Sequence, residues 1–254
     1  MKVYEIVFSP TGGTKKAADC VAEVFAKDRQ EIDLTDRTRD FSADRFEPED
    51  LCVFAAPAFG GRIPDICRHR IGRMEGRGAR AVIVISYGNR AFDDAMIELQ
   101  DLLAERSFHC VAAVAAVTEH SIMRQFAAGR PDETDRRELA DFAFRIKEKL
   151  DSGEEEQCPI VPGNRPYKEY HGIPMKPKAG SNCDGCGVCE KGCPVGAIPA
   201  DNPAETDEKS CISCMRCVAF CPKQARSLNK AMVAASVQML KKACSGYKKN
   251  ELFT

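Results

Sequence analysis

The feature that most limits what this chain can become is a doubled string of cysteines. Cys183-x2-Cys186-x2-Cys189-x3-Cys193-Pro194 returns as Cys211-x2-Cys214-x2-Cys217-x3-Cys221-Pro222, an internal repeat offset by 28 residues. Three closely spaced thiolates can wrap one face of a [4Fe-4S] cube from a single tight loop, and the fourth must arrive from elsewhere. In paired strings of this kind it comes from the other repeat. Cys183, Cys186, Cys189 and Cys221 are thereby assigned to one cluster, and Cys211, Cys214, Cys217 and Cys193 to the second. Thiolate tetrads also bind zinc, but zinc sites use separated cysteine pairs rather than doubled triples ending in Cys-Pro. Val188, Val195, Ile198, Ile212, Val218 and Phe220 surround the ligands and are expected to keep water away, which favours a low reduction potential.

A chain of 254 residues can form one large or two modest domains, and 44% hydrophobic with 30% charged residues is ordinary for a folded protein. The net charge of -1 offers no field to attract nucleic acid or an anionic membrane, so neither is an expected partner. No apolar run approaches the ~18 residues of a membrane span, and the N-terminus lacks a signal peptide, which predicts a cytoplasmic protein. The remaining cysteines, Cys20, Cys52, Cys67, Cys110, Cys158 and Cys244, are scattered and read as buried or reduced thiols.

Ahead of the cysteine strings, short apolar runs alternate with longer amphipathic ones, the signature of βα units around a parallel sheet. Strands are expected at 2–8, 30–34, 51–56, 79–85 and 110–117, and helices at 14–27, 92–105 and 132–150. Five strands make a doubly wound α/β domain over residues 1–152. Beyond it, Glu154-Glu155-Glu156 precedes Pro159, Pro162, Pro166, Pro174 and Pro177, so 153–180 reads as a stiff, extended connector. Residues 181–228 hold both cysteine strings, and 229–254 form a C-terminal helix and tail. That helix, at 230–244, places Val233, Val237 and Leu240 on one face, which is expected to dock on one of the domains.

The first strand runs into Ser9-Pro10-Thr11-Gly12-Gly13-Thr14 and then a helix. Hydroxyls and glycine amides at a helix N-terminus stabilise a phosphate, although the same residues also make a capped turn. The patterns GxGxxG and GxxxxGK[ST] are both missing, which weighs against NAD and ATP. At these residues the chain resembles flavodoxins, whose first loop holds the phosphate of FMN. Pro57-Ala58-Phe59-Gly60-Gly61 follows the third strand and Ser86-Tyr87-Gly88-Asn89 the fourth, where flavodoxin-like proteins place the loops that hold the isoalloxazine.

With the cysteine strings behind these loops, the order is similar to the bacterial flavodoxin/ferredoxin fusion family over nearly the whole chain. The resemblance implies a flavodoxin-like doubly wound five-stranded parallel sheet followed by a small α+β bacterial ferredoxin domain. It also implies FMN, held by Ser9, Thr11, Gly12, Gly13, Thr14 and the two later loops, beside the two [4Fe-4S] clusters. Gly13 stands where Asn is frequent, and the lack of Trp leaves Phe59 and Tyr87 to cover the flavin. Arg62 and Arg90 are candidates for stabilising an anionic reduced flavin or its phosphate. Of four histidines, His69 and His109 read as structural or exposed and His171 lies in the connector. His120, after the fifth strand, comes near the expected flavin edge and is a candidate proton donor.

Together these features imply an electron-transfer protein passing single electrons between FMN and the clusters, serving redox partner proteins or a small-molecule acceptor. The rival reading is a flavin-dependent reductase of a quinone or nitro compound fed through the clusters. A third is a redox sensor.

Overall fold

In the computed structural model, which describes residues 1–153 and 156–254, the N-terminal half alternates strands and helices. The elements are β1 (Val3–Val7), α1 (Gly13–Phe25), β2 (Gln30–Asp33), β3 (Leu51–Pro57), α2 (Asp65–Ile71), β4 (Arg80–Tyr87), α3 (Ala95–Glu105), β5 (His109–Val117) and α4 (Glu133–Asp151). β1, β3, β4 and β5 are nearly unbroken runs of buried residues because both of their faces are covered. Ile6, Phe54, Ile83 and Ile85 pack into the core under α2 and α3, and Val53, Val82, Val84 and Val114 into the core under α1 and α4. The parallel order β2-β1-β3-β4-β5 reverses direction beside β1, and a sheet wound this way binds ligands outside its carboxyl ends at that point.

After α4 the chain straps itself along α3. The Asp94 carboxylate accepts the backbone N–H groups of Asn164 at 2.8 Å and Lys168 at 2.7 Å, and Asp101 accepts the Tyr167 hydroxyl at 2.5 Å. The expected connector is therefore extended and held down. Glu154 and Glu155, which open it, lie outside the described residues. β6 (Lys178–Ala179) and β7 (Arg226–Ser227) then pair antiparallel around two single-turn helices, α5 (Val188–Lys191) and α6 (Arg216–Ala219).

α7 (Lys230–Cys244) docks as expected, setting Val233, Val237 and Leu240 against Met123 and Phe126. The chain then returns to the main sheet, where β8 (Glu251–Phe253) pairs antiparallel with β5. The expected five-stranded sheet thus has a sixth strand, supplied from the tail. α2 was also not foreseen: seven residues directly after Pro64 are too few to show a helical period.

Candidate metal centre and cofactor cleft

Cys183, Cys186, Cys189 and Cys221 line one cavity of about 310 Å³. Cys193, Cys211, Cys214 and Cys217 line a second of about 340 Å³. Each cavity takes three cysteines from one string and the fourth from the other. Among the described residues no three of these sulfurs lie within 4.8 Å of one another. Four thiolates bound to one zinc at about 2.3 Å would be only about 4 Å apart, so tetrads this open suit a cube better than a single ion.

The two cavities differ in exposure. Cys193 and Cys214 are buried, whereas the first set has no buried member and Cys186 is exposed. The first is therefore called outer and the second inner. Val188 and Phe220, expected to exclude water, are 42% and 53% exposed. Val188 lines the outer cavity, and the Phe220 ring lies under the Arg216 guanidinium. Of the six scattered cysteines, Cys52, Cys67, Cys110 and Cys244 are buried and free, Cys20 is partly buried and Cys158 is exposed.

The repeat extends to the backbone. Gly185 and Gly187 take left-handed φ values of 74°, and 28 residues on, Ser213 and Met215 occupy the same region at 55° and 64°. A residue with a side chain costs about 1 kcal/mol or more there. The second string gains contacts in exchange: Ser213 Oγ donates to Ile173 O at 3.0 Å, and Met215 is 3% exposed. Buried Arg70 adds a clasp, donating from Nη1 to Leu34 O at 2.5 Å and from Nη2 to Pro194 O at 2.6 Å. Arg37 pairs with Glu190 at 2.5 Å. The cysteine strings are thereby seated on the sheet.

A cleft of about 710 Å³ opens at the carboxyl ends of β1, β3, β4 and β5. Of the residues singled out from sequence, Thr11, Gly13, Thr14, Pro57, Ala58, Phe59, Gly60, Ser86, Tyr87, Gly88 and His120 line it. Thr14 Oγ1 and Ser86 Oγ are 2.7 Å apart in its floor. Gly12, at φ 90°, turns the chain into α1, and among the described residues the Gly13 and Thr14 amides meet no hydrogen-bond partner. Such orphan donors at the N-terminus of a 13-residue helix fit a phosphate. Two glycines permit close approaches: a Cβ at Gly60 would lie 2.6 Å from the Tyr170 ring, and one at Gly88 2.7 Å from His120.

Sequence reasoning missed the rest of the wall. Thr118, Glu119, Ser121 and Ile122 come from the loop after β5, while Ile173, Ser213 and Cys214 come from the connector and second cysteine string. The β5 loop was reached in the sequence through His120, and its neighbours follow from it as residues of another carboxyl-end loop of the sheet. The far wall has no local signature, because it depends on how the two halves meet.

Several expected residues serve elsewhere. Ser9 Oγ caps α1, accepting from Lys15 N at 2.9 Å. Gly61 lies against Asp93. Asn89 is buried and donates from Nδ2 to Cys244 O at 2.6 Å and Gly246 O at 2.8 Å, holding the tail rather than a ligand. Tyr87 lines the cleft, but its ring belongs to the core, packed edge-on to Phe92 with centroids 5.3 Å apart, and burial pushes its hydroxyl pKa up to about 12. Arg62 forms a bidentate pair with Glu98 at 2.7 and 2.6 Å, and Arg90 pairs with Asp93. Neither is free to hold an anion in the cleft. His120 is half-buried and is no ready proton donor: Nδ1 accepts from Ile122 N at 3.1 Å and Met123 N at 3.2 Å, and burial pushes its pKa down to about 4. Its ring is neutral near pH 7, with its proton on Nε2.

The strand order and the cleft at its reversal define a flavodoxin-like doubly wound domain. Residues 167–226 match the 4Fe-4S dicluster domain family. The matched dicluster domain accounts for two 4Fe-4S clusters. A 47-residue stretch is 49% identical to a component of the ion-translocating oxidoreductase complex of Methanosarcina acetivorans, and the match spans only 18% of that protein and 18% of this chain. The solved structure of oxidised flavodoxin 1 from Bacillus cereus is similar over 58% of this chain and 98% of its own, at 19% identity and a TM-score of 0.42. Rubredoxin oxygen:oxidoreductase from Desulfovibrio gigas is similar over 59% of this chain and 36% of its own, at 16% identity and a TM-score of 0.44. A 4Fe-4S dicluster domain beside a doubly wound α/β sheet points to electron transfer. Among the described residues no helix is long and apolar enough to cross a membrane.

Proposed function

We propose that this protein carries electrons between two [4Fe-4S] clusters, on the crossed tetrads, and an FMN held in the cleft. When bound, FMN supplies a centre that takes up two electrons and exchanges them singly. Thr11 and the amides of residues 12–14 would hold its phosphate at the start of α1, and the loops at 57–60 and 86–88 would flank its ring system. Neutral His120 would offer an Nε2–H donor and no acidic proton.

One observation carries this reading: Cys214 lines both the inner cavity and the cleft. Flavin and inner cluster would share a wall, while the exposed outer tetrad would meet the partner protein. The same wall argues against the reductase reading, since Ile173, Ser213 and Cys214 occupy a flank that a small substrate would need.

Protein prepared anaerobically is expected to hold about eight irons and eight sulfides per chain with one FMN. Thr11→Ala should weaken FMN binding about fivefold, the equivalent of about 1 kcal/mol for a lost hydrogen bond. Flavin reduction through the clusters, followed by stopped flow, should proceed at a rate independent of protein concentration. A rate rising in proportion to concentration would mean transfer between molecules and would sink the shared-wall reading.

A further inference from the structure

Arg226 opens β7 and is 3% exposed. Its Nη1 donates to Thr206 Oγ1 at 2.7 Å, and its Nη2 to Glu205 O at 2.7 Å and to Pro203 O. All of these partners are uncharged, and among the described residues no carboxylate pairs with it. Its Nε is buried without any partner. A buried cation and a buried N–H are both costly unless something compensates them. Arg226 lines the outer cavity, beside the turn in which Ala225 N donates to Cys221 Sγ at 3.2 Å.

The repeat supplies an internal control. The residue 28 positions earlier is Ile198, also 3% exposed, in the wall of the inner cavity. This turn therefore accepts an apolar side chain, and arginine is not needed to build it. Lys223 also lines the outer cavity, but it is exposed and paired with Asp184 at 3.4 Å. Arg216, in the inner wall, is only partly buried and lies over the Phe220 ring.

We infer that Arg226 is the buried counter-cation of the outer cluster, its Nε–H donating to a sulfur of that cluster, and that it raises the cluster's reduction potential. Each electron taken up adds negative charge to a centre that four thiolates already make anionic. A fixed cation and an N–H bond to sulfur both stabilise the reduced form.

The inference rests on the cluster assignment above, and iron and sulfide counts keep the two apart: without cubes in the wild type, that assignment fails first. Potentials are read by EPR-monitored titration, with Cys193→Ala, whose outer tetrad is intact, identifying the outer signal. In Arg226→Met the one-electron equilibrium of the outer cluster should move about tenfold or more towards the oxidised form, 59 mV for each factor of ten, and the inner cluster less. Arg226→Lys keeps the charge but has no N–H at the Nε position, and should fall between Met and wild type. Thr206→Val frees one bond to the guanidinium without removing its charge, and should leave the potential near wild type. An unchanged outer potential in Arg226→Met, or the same fall in all three variants, overturns the inference. Should Arg226→Met fail to assemble its clusters, Arg226→Lys decides alone: a lowered outer potential supports the inference and an unchanged one overturns it.

Discussion

His120 illustrates how burial decides what a side chain can do beside this cleft. Two backbone amides occupy Nδ1, and desolvation holds the ring near a pKa of about 4 against about 6.5 in an unfolded chain. Between those values the unfolded chain takes the proton first, so the stability conferred by the neutral ring is present above about pH 6.5 and is lost as pH falls towards 4. Protein labelled with 15N-histidine should therefore show one ring that keeps an unprotonated Nδ1 from about pH 8 to about pH 5. Titration near 6.5 would show the ring to be solvated. Tyr87 teaches a second lesson at this scale. Its place after the fourth strand suggested a cover for the flavin, but it shares the parity of Ile83 and Ile85, and alternation along β4 sends all three to the α3 face. Ser86, one residue earlier, meets Thr14 instead. That distinction was legible in the sequence once the strand was extended by two residues.

Among the elements, the contrast between α7 and β8 shows which signals survive in a sequence. The stripe of Val233, Val237 and Leu240 is a helical period, and it docks as that period requires. β8 is only Glu-Leu-Phe, too short for any alternation, and its place comes from backbone pairing to β5 and from Asn250. Asn250 is buried, accepting Val117 N at 2.8 Å and donating to Asp135 Oδ1 at 3.0 Å and Glu138 Oε2 at 2.7 Å. Asn250→Ala should destabilise this end of the sheet by about 1–3 kcal/mol, because Val117 N–H loses its acceptor inside the protein. Hydrogen exchange should then quicken at 251–253; unchanged exchange would mean that other contacts hold the strand. The cysteine strings were readable from spacing alone, since ligand geometry dictates it. Their departure from symmetry was printed too, as Ser213 for Gly185 and Met215 for Gly187, but its meaning appears only where the second string meets the sheet.

At the scale of the whole molecule, crossed tetrads would make each cluster depend on both strings. Cys193→Ala should injure the inner cluster, leaving a three-iron or empty site, while Cys221→Ala injures the outer one. Iron counts and EPR on the two variants check this, and loss of the same cluster in both would contradict it. FMN binding should survive each change, because its phosphate loop and ring loops come from the sheet. The return of β8 to the edge of β5 has a different consequence. In chain order the cysteine strings fall before the last strand of the sheet, so the ferredoxin part is an insertion stitched down on both sides: along α3 on the way in, and through α7 and β8 on the way out. A domain hung from one linker can swing between donor and acceptor, but this one would first have to unpick a strand. The seam therefore includes a shared strand pairing, and during synthesis the sheet can close only after both cysteine strings have emerged.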